Sequence, residues 1–101
     1  FVETKAIKEV FRYVYDIPPI TAIKSMVGES FSASGGLSTV AAIGSVVSNV
    51  IPPTVNYIEF DQNCDLRYVI SYPEQKKVDK VMVNSFGPNG ANTVLIMGKY
   101  N

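Results

Sequence analysis

The stretch SASGGLSTVAAIGSVVSNV, residues 32–50, decides the fold of this 101-residue chain. It contains only apolar, small or uncharged residues, and no charged residue lies between Glu29 and Glu59. A helix whose residues are apolar or small on every face is typically buried on every face. Its three glycines each cost a helix about 1 kcal/mol relative to alanine, a cost that close packing against other backbones would offset. The stretch therefore predicts the central helix of a layered α/β protein.

The composition indicates that so small a chain cannot bury all of its apolar surface alone. It is 47% apolar and only 18% charged, so much of its apolar surface is expected to face a partner or residues outside the chain. The net charge is zero, which argues against a nucleic-acid partner. We therefore expect residues 1–101 to be one domain, or part of one, cut from a longer protein.

Two residue types exclude further classes of site. The chain has no histidine, which rules out histidine acid–base chemistry and histidine metal sites within it. Its single cysteine, Cys64, forms no internal disulfide, which fits a reducing, cytoplasmic compartment. The longest apolar stretch, residues 37–51, is interrupted by polar residues and predicts no membrane span.

Local patterns predict the other elements. An amphipathic helix is predicted over 2–14, where the apolar residues fall three and four apart. Its apolar face consists of Ala6, Ile7, Val10, Phe11 and Val14. We expect strands over 20–24, 66–71, 78–86 and 92–100, an irregular loop over 54–65 and a polar connection over 72–77. Gly87-Pro88-Asn89-Gly90 predicts a turn that joins the last two strands in an antiparallel hairpin, and Pro52-Pro53 predicts the end of the central helix.

Four collinear stretches resemble the C-terminal part of β-ketoacyl-[acyl carrier protein] synthases, the condensing enzymes of the thiolase fold. They are ETKAIKEVF (3–11), KSMVGESFSASGG (24–36), VIPPTVNYIEFDQNCDLRYV (50–69) and NSFGPNGAN (84–92). The resemblance implies a partial thiolase-like domain with a mixed sheet, a buried central helix and a C-terminal hairpin. It covers essentially the whole chain, and it implies that the chain is about a quarter of a full-length synthase.

The resemblance also implies a reaction that needs more than this chain holds. In the family a cysteine nucleophile carries the acyl group, and two histidines assist the decarboxylation of a malonyl thioester. The cysteine and the first histidine lie upstream of the part represented here. The implied partners are an acyl carrier protein bearing an acyl or malonyl thioester, the rest of the synthase, and a second subunit in a homodimer or heterodimer. No cofactor and no metal are expected.

The first departure from the family falls at the second histidine. The family pattern Lys-Ser-Met-x-Gly-His reads here from Lys24 to Glu29. The histidine donates a hydrogen bond to the thioester oxygen, where negative charge grows. An ionised Glu29 would oppose that charge by about 4 kcal/mol at about 4 Å and an effective dielectric of about 20, roughly a thousandfold in rate. Glu29 could bind a proton instead, but we expect it to pair with Lys24.

The second departure falls in the turn. The family pattern Asn-Ser-Phe-Gly-Phe-Gly-Gly-x-Asn aligns with residues 84–92, and its second phenylalanine falls on Pro88. In the family that phenylalanine gates the acyl pocket and its backbone N–H is an oxyanion-hole donor. Proline has no N–H, and loss of one such donor typically costs about 10²–10³ in rate. Phe86, Gly87, Pro88 and Gly90 are the candidate substrate-binding residues.

Simpler readings of the same residues remain open. Lys24 and Glu29 could be an ordinary ion pair at a helix start, and residues 88–90 a plain hairpin turn. Phe86 could be a core residue rather than part of an acyl channel. Cys64 is interpreted as a structural thiol, because it lies away from the catalytic motifs.

Two functions follow from these patterns. In the first, the parent protein is a 3-oxoacyl-[acyl carrier protein] synthase-like protein of fatty acid or polyketide biosynthesis that is impaired in condensation. It would then resemble the chain-length-factor partner of a condensing heterodimer. In the alternative, the parent is an active acyltransferase with altered chemistry, which uses a protonated Glu29 or the upstream histidine alone. The sequence leaves open whether the parent is an enzyme.

Overall fold

The computed structural model of the chain describes residues 1–100 and places the apolar stretch in one helix, α3, at Ser34–Ser48. A short 3₁₀ turn, Phe31–Ala33, leads into it. The predicted central helix is therefore confirmed. It ends at Asn49, whose left-handed backbone (φ 53°, ψ 45°) stops the helix three residues before Pro52. The prolines that we expected to end the helix thus lie beyond its end.

Within this chain α3 has neighbours on one face only, as expected for part of a longer protein. It packs against a hairpin, and its buried residues are Ala42, Ser45 and Val46. The opposite face is open, since Val40 is 67% exposed and Val47 is 73% exposed. Within this chain the helix is buried on one face rather than on all sides, because residues 1–100 supply neighbours for only one face.

The hairpin on which α3 packs consists of strands β3, Lys80–Phe86, and β4, Asn92–Gly98. They pair antiparallel, with Lys80 opposite Gly98 and Phe86 opposite Asn92. The predicted hairpin is confirmed, with each strand two residues shorter than expected. A second antiparallel pair joins β1, Val50–Ile51, to β2, Glu74–Gln75. This pair was missed, and β2 lies in the predicted polar connection.

Two parallel bridges, Ile20 to Tyr68 and Thr54 to Ile70, connect the remaining segments. They complete the mixed pairing expected of the α/β class, although the two antiparallel pairs stay separate sheets in this chain. The predictions of full strands over 20–24 and 66–71 were wrong. Only isolated residues form bridges, Ile20 in the first segment and Tyr68 and Ile70 in the second. Lys24–Val27 instead forms a short helix, α2.

The first helix, α1, spans Val2–Val10 and ends four residues earlier than predicted. Its inner face also differs, because Thr4 is buried while Val10 is 70% exposed. Val14, which we assigned to the apolar face, lies in a separate 3₁₀ turn, and its side chain lies outside the described part.

One further observation concerns membranes. The helical run Phe31–Ser48 is long and apolar enough, by length and composition alone, to count as a candidate membrane span. The sequence predicted none, because the stretch considered there was shorter. Core helices of globular proteins meet the same criterion.

Candidate functional site

A tight reversal after α2 brings Lys24 and Glu29 together. Gly28 has φ 76°, a left-handed conformation that favours glycine. Its N–H donates to the Lys24 carbonyl at 2.8 Å and closes the turn. The chain then folds back, and Lys24 Nζ lies 2.8 Å from Glu29 Oε2. The predicted ion pair is therefore present, with both side chains about half-exposed.

The other carboxylate oxygen of Glu29 is also occupied. The Phe31 backbone N–H donates to Glu29 Oε1 at 2.8 Å. The Lys24 hydrogen bond, followed by the Phe31 N–H, lowers the pKa of Glu29 below its ordinary value of 4.5, and the Ser34 hydroxyl acts in the same direction. An ionised carboxylate only accepts hydrogen bonds. Glu29 at neutral pH is therefore an anion held by donors and offers no donor of its own.

Ser25 fixes α2 against the rest of the chain. Its hydroxyl donates to the Ala22 carbonyl at 2.8 Å and accepts the Val55 N–H at 2.9 Å. Its carbonyl accepts a hydrogen bond from the Asn56 side-chain amide at 3.1 Å. One serine thus ties the segment that carries Lys24 to the loop after β1.

The four candidate substrate-binding residues lie together at the end of β3 and in the turn that follows it. The Gly87 N–H donates to the Ala91 carbonyl at 2.7 Å, and the Gly90 N–H donates to the Gly87 carbonyl at 3.2 Å. Gly90 has φ 76°. Phe86 is 58% exposed, so it is not a core residue of this chain. Because Pro88 has no N–H, residues 87, 88 and 90 offer no unused backbone donor.

The beginning of α3 follows the Lys24–Glu29 pair in the chain and lies beside the end of β3. A Cβ placed on Gly35 would lie 3.9 Å from the Ser85 hydroxyl oxygen, so α3 begins beside the residue that precedes Phe86. Among residues 1–100, no hydrogen bond or ion pair joins Lys24 or Glu29 to residues 86–90. The convergence of Glu29 and Pro88 on one site stays a prediction.

Sequence reasoning missed three residues that build this site: Ser25, Phe31 and Ser34. The short distance in sequence from Glu29 could have indicated two of them. Phe31 and Ser34 follow Glu29 at the start of a predicted helix, where backbone N–H groups and small hydroxyl side chains partner a nearby carboxylate. The Ser25–Val55 hydrogen bond joins distant segments and leaves no local signal. Within residues 1–100, no group of three or more Cys, Asp and Glu side chains is placed to hold a metal ion.

The Beta-ketoacyl synthase, C-terminal domain family matches residues 1–58. The chain belongs to this family. It is 37% identical over 98 residues to a 3-oxoacyl-[acyl-carrier-protein] synthase 2 of Coxiella burnetii. It is also 37% identical over 98 residues to the tetracenomycin polyketide synthase ketoacyl synthase alpha subunit of Streptomyces glaucescens. Each match covers 96% of this chain and 23% of the relative, so the chain spans about a quarter of the relatives' length.

Solved structures give the same fold. The ishigamide ketosynthase/chain length factor superposes with a TM-score of 0.92 at 35% identity, over 98% of this chain and 24% of that chain. A type II polyketide acyl-carrier protein in complex with its ketosynthase bound to the hexaketide contains a second match. That match has a TM-score of 0.92 at 28% identity, over the same shares of the two chains. The expected thiolase-like ketosynthase fold is thereby confirmed.

Proposed function

We propose that this chain is the C-terminal portion of a longer β-ketoacyl synthase-like protein, the parent, in fatty acid or polyketide biosynthesis. We further propose that the parent condenses poorly and serves as the partner subunit of a condensing pair. The observation that carries the proposal is the Lys24–Glu29 ion pair at 2.8 Å, in which Glu29 also accepts the Phe31 N–H.

The chemistry of decarboxylation explains why this ion pair matters. Loss of carbon dioxide from a malonyl thioester places negative charge on the thioester oxygen, and a donor at that point lowers the barrier. Glu29 carries a negative charge and already accepts a hydrogen bond from Lys24, the nearest cation in sequence. The Glu29 carboxylate and the developing charge have the same sign, so their repulsion would slow the step.

The hairpin turn supports the same proposal independently. Pro88 supplies no N–H, while the N–H groups of Gly87 and Gly90 are engaged within the turn. A missing oxyanion donor typically costs about 10²–10³ in rate. The two costs need not add, because groups that act on one transition state are not independent.

The names of similar proteins suggest the partners. One solved neighbour is a ketosynthase/chain length factor pair, and another is a ketosynthase with its acyl-carrier protein. On that basis the parent would bind an acyl carrier protein carrying an acyl or malonyl thioester. It would also form a dimer, while the rest of the parent would cover apolar residues of the central helix such as Val40 and Val47.

A second candidate function is an active acyltransferase with altered chemistry, favoured by the 37% identity to a synthase that bears an enzyme name. If Glu29 acted as a protonated acid, its pKa would have to be raised. The contacts of Glu29 lower it. The version that uses only the upstream histidine is not affected by this argument.

Carbon dioxide release from malonyl-[acyl carrier protein] tests the proposal in a parent that has its upstream cysteine and first histidine. Glu29→His restores a donor at the developing enolate, and Pro88→Phe restores a backbone N–H. The double variant is expected to release carbon dioxide several powers of ten faster than the unmodified protein, and each single variant less so.

The matched control is Glu59→His combined with Pro73→Phe, which makes the same two changes at exposed positions outside the candidate site. It is expected to leave the rate unchanged. A folded double variant at Glu29 and Pro88 with no increase in rate would contradict the proposal, as would fast carbon dioxide release by the unmodified protein.

A further inference from the structure

The turn between β3 and β4 contains a reactive pair of residues that the proposed function does not use. Asn89 is the only asparagine of the chain that is followed by a glycine, Gly90. In such a step the backbone nitrogen of the glycine can attack the side-chain carbonyl carbon of the asparagine. A larger following residue hinders this attack, because its Cβ crowds the attacking nitrogen. The Asn89–Gly90 step is therefore the point of the chain at which an asparagine amide is chemically least stable.

The hydrogen bonds of the turn allow this step to reorient. Pro88, Asn89 and Gly90 form a three-residue hairpin loop, which the 2.7 Å bond from the Gly87 N–H to the Ala91 carbonyl closes. The attacking nitrogen, that of Gly90, takes part in the longer bond to the Gly87 carbonyl, at 3.2 Å, the long end of the usual range. Breaking the longer bond leaves the shorter one in place, so the hairpin stays closed while Asn89 and Gly90 reorient.

The side chain of Asn89 is also held less firmly than those of three other asparagines. The side-chain amides of Asn49, Asn56 and Asn84 each make a hydrogen bond of 3.1 or 3.2 Å. Among the hydrogen bonds within residues 1–100, none involves the side-chain amide of Asn89. No hydrogen bond in the described part of the chain therefore keeps this amide away from the Gly90 nitrogen.

We propose that Asn89 deamidates spontaneously, which makes the turn a site of time-dependent modification. The Gly90 nitrogen forms a bond to Asn89 Cγ, and the side-chain nitrogen leaves as ammonia together with the Gly90 amide proton. Water then opens the resulting five-membered ring at one of its two carbonyls. One opening gives aspartate, and the other gives isoaspartate, in which the backbone runs through the former side chain.

Both products change the chemistry of the turn. Residues 86–92 contain no titratable side chain, so either product brings the first carboxylate into it. Isoaspartate also adds a carbon atom to the backbone between Pro88 and Gly90, inside the loop that the Gly87–Ala91 bond closes. We expect isoaspartate to loosen the hairpin and aspartate to keep it closed, because only isoaspartate changes the length of the loop.

Mass spectrometry of the purified parent protein, kept folded in mildly alkaline buffer, tests the proposal. The peptide that contains Asn89 is expected to gain steadily the mass of an amide-to-acid exchange, and an isoaspartyl methyltransferase is expected to label it. Fragmentation of the peptide locates the change. Asn84 and Asn92 are internal controls, because serine and threonine follow them. The reaction is expected to be at least an order of magnitude faster at Asn89 than at either control.

Variants identify the two reacting groups. Asn89→Gln is expected to abolish the reaction, because glutamine would have to close a larger ring. Gly90→Ala is expected to slow it by at least an order of magnitude, whereas Gly44→Ala, at a glycine that follows isoleucine, is expected to leave the rate unchanged. Hydrogen–deuterium exchange of the hairpin peptide is expected to become faster as isoaspartate accumulates.

Two outcomes would overturn the proposal. The first is an equally slow loss of the amide at Asn89 and Asn84 in the folded parent. The second is a reaction at Asn89 that occurs in urea-denatured protein and not in folded protein, since the turn or its surroundings in the parent would then protect the amide.

Discussion

Two loops of this chain carry the candidate site, and they are held in different ways. The segment at residues 24–34 is held by side chains as well as by the Gly28–Lys24 backbone bond, since Ser25, Glu29 and Lys24 make side-chain hydrogen bonds there. The turn at residues 86–92 is held by the backbone, through the bonds between Gly87, Gly90 and Ala91. The first loop therefore depends on particular side chains in addition to the left-handed Gly28, whereas the second depends on its backbone hydrogen bonds and the left-handed Gly90.

The two departures from the family pattern, at Glu29 and Pro88, therefore have different structural consequences. In the segment at residues 24–34, the Glu29 carboxylate accepts hydrogen bonds from Lys24 and from the Phe31 N–H, so its charge is compensated locally. In the backbone-held turn, Pro88 takes a position whose N–H is not needed to close the hairpin. Both segments are closed by hydrogen bonds in this chain. Under the proposed function, each lacks a group that the family's reaction would use.

The largest expected effect on stability comes from Ser25→Ala. The change leaves the half-buried Val55 N–H without its partner, and an unsatisfied donor of this kind costs about 1–3 kcal/mol. The free energy of unfolding, measured by urea denaturation, is expected to fall by that amount. Ser32→Ala is the control, because Ser32 is exposed. Equal losses in the two variants would mean that side chains do not hold the loop.

A smaller effect is expected from alanine in the backbone-held turn. Gly90→Ala forces a left-handed backbone on alanine, at a cost of about 1–2 kcal/mol. Gly44→Ala is the matched change in α3, and it is expected to stabilise the protein by about 0.5–1 kcal/mol. Neither added Cβ meets an atom within 4 Å, so the contrast isolates the backbone term. Thermal unfolding that moves in the same direction for both would contradict the account.

The elements that the sequence predicted are those with a long or specific pattern. The absence of charge over residues 32–50 predicted α3, and the glycines at 87 and 90 predicted the hairpin. The motif match predicted the Lys24–Glu29 pair. The pair of two-residue strands β1 and β2 was missed, because a strand of two residues has no periodicity to read.

Other misses have their cause outside the local pattern. The apolar run before Lys24 was interpreted as a strand, since short apolar runs do not separate strand from helix. The left-handed backbone of Phe31 (φ 49°) depends on where the Glu29 side chain returns after Gly28, and that is set by three-dimensional contacts. The open face of α3 was anticipated from composition, while the buried Thr4 was not, because its neighbours lie far along the chain.

The two loops should also differ in their response to acid. The contacts of Glu29 lower its pKa below 4.5. Its contribution to the stability of the loop is fully present above that ordinary value and is lost as the pH falls through the lowered pKa. Residues 86–92 contain no titratable side chain, so the turn itself has no such dependence.

The proposed loss of condensing activity requires an ionised Glu29 carboxylate held by donors, and the pKa of this carboxyl group reports on that state. It can be measured by following the carboxyl carbon of Glu29 by NMR during an acid titration, in the unmodified protein and in Lys24→Met. We expect a pKa below 4.5 that rises towards the ordinary value when Lys24 is replaced. A pKa above the ordinary value in the unmodified protein would contradict it, and would support a protonated Glu29 acting as a catalytic acid.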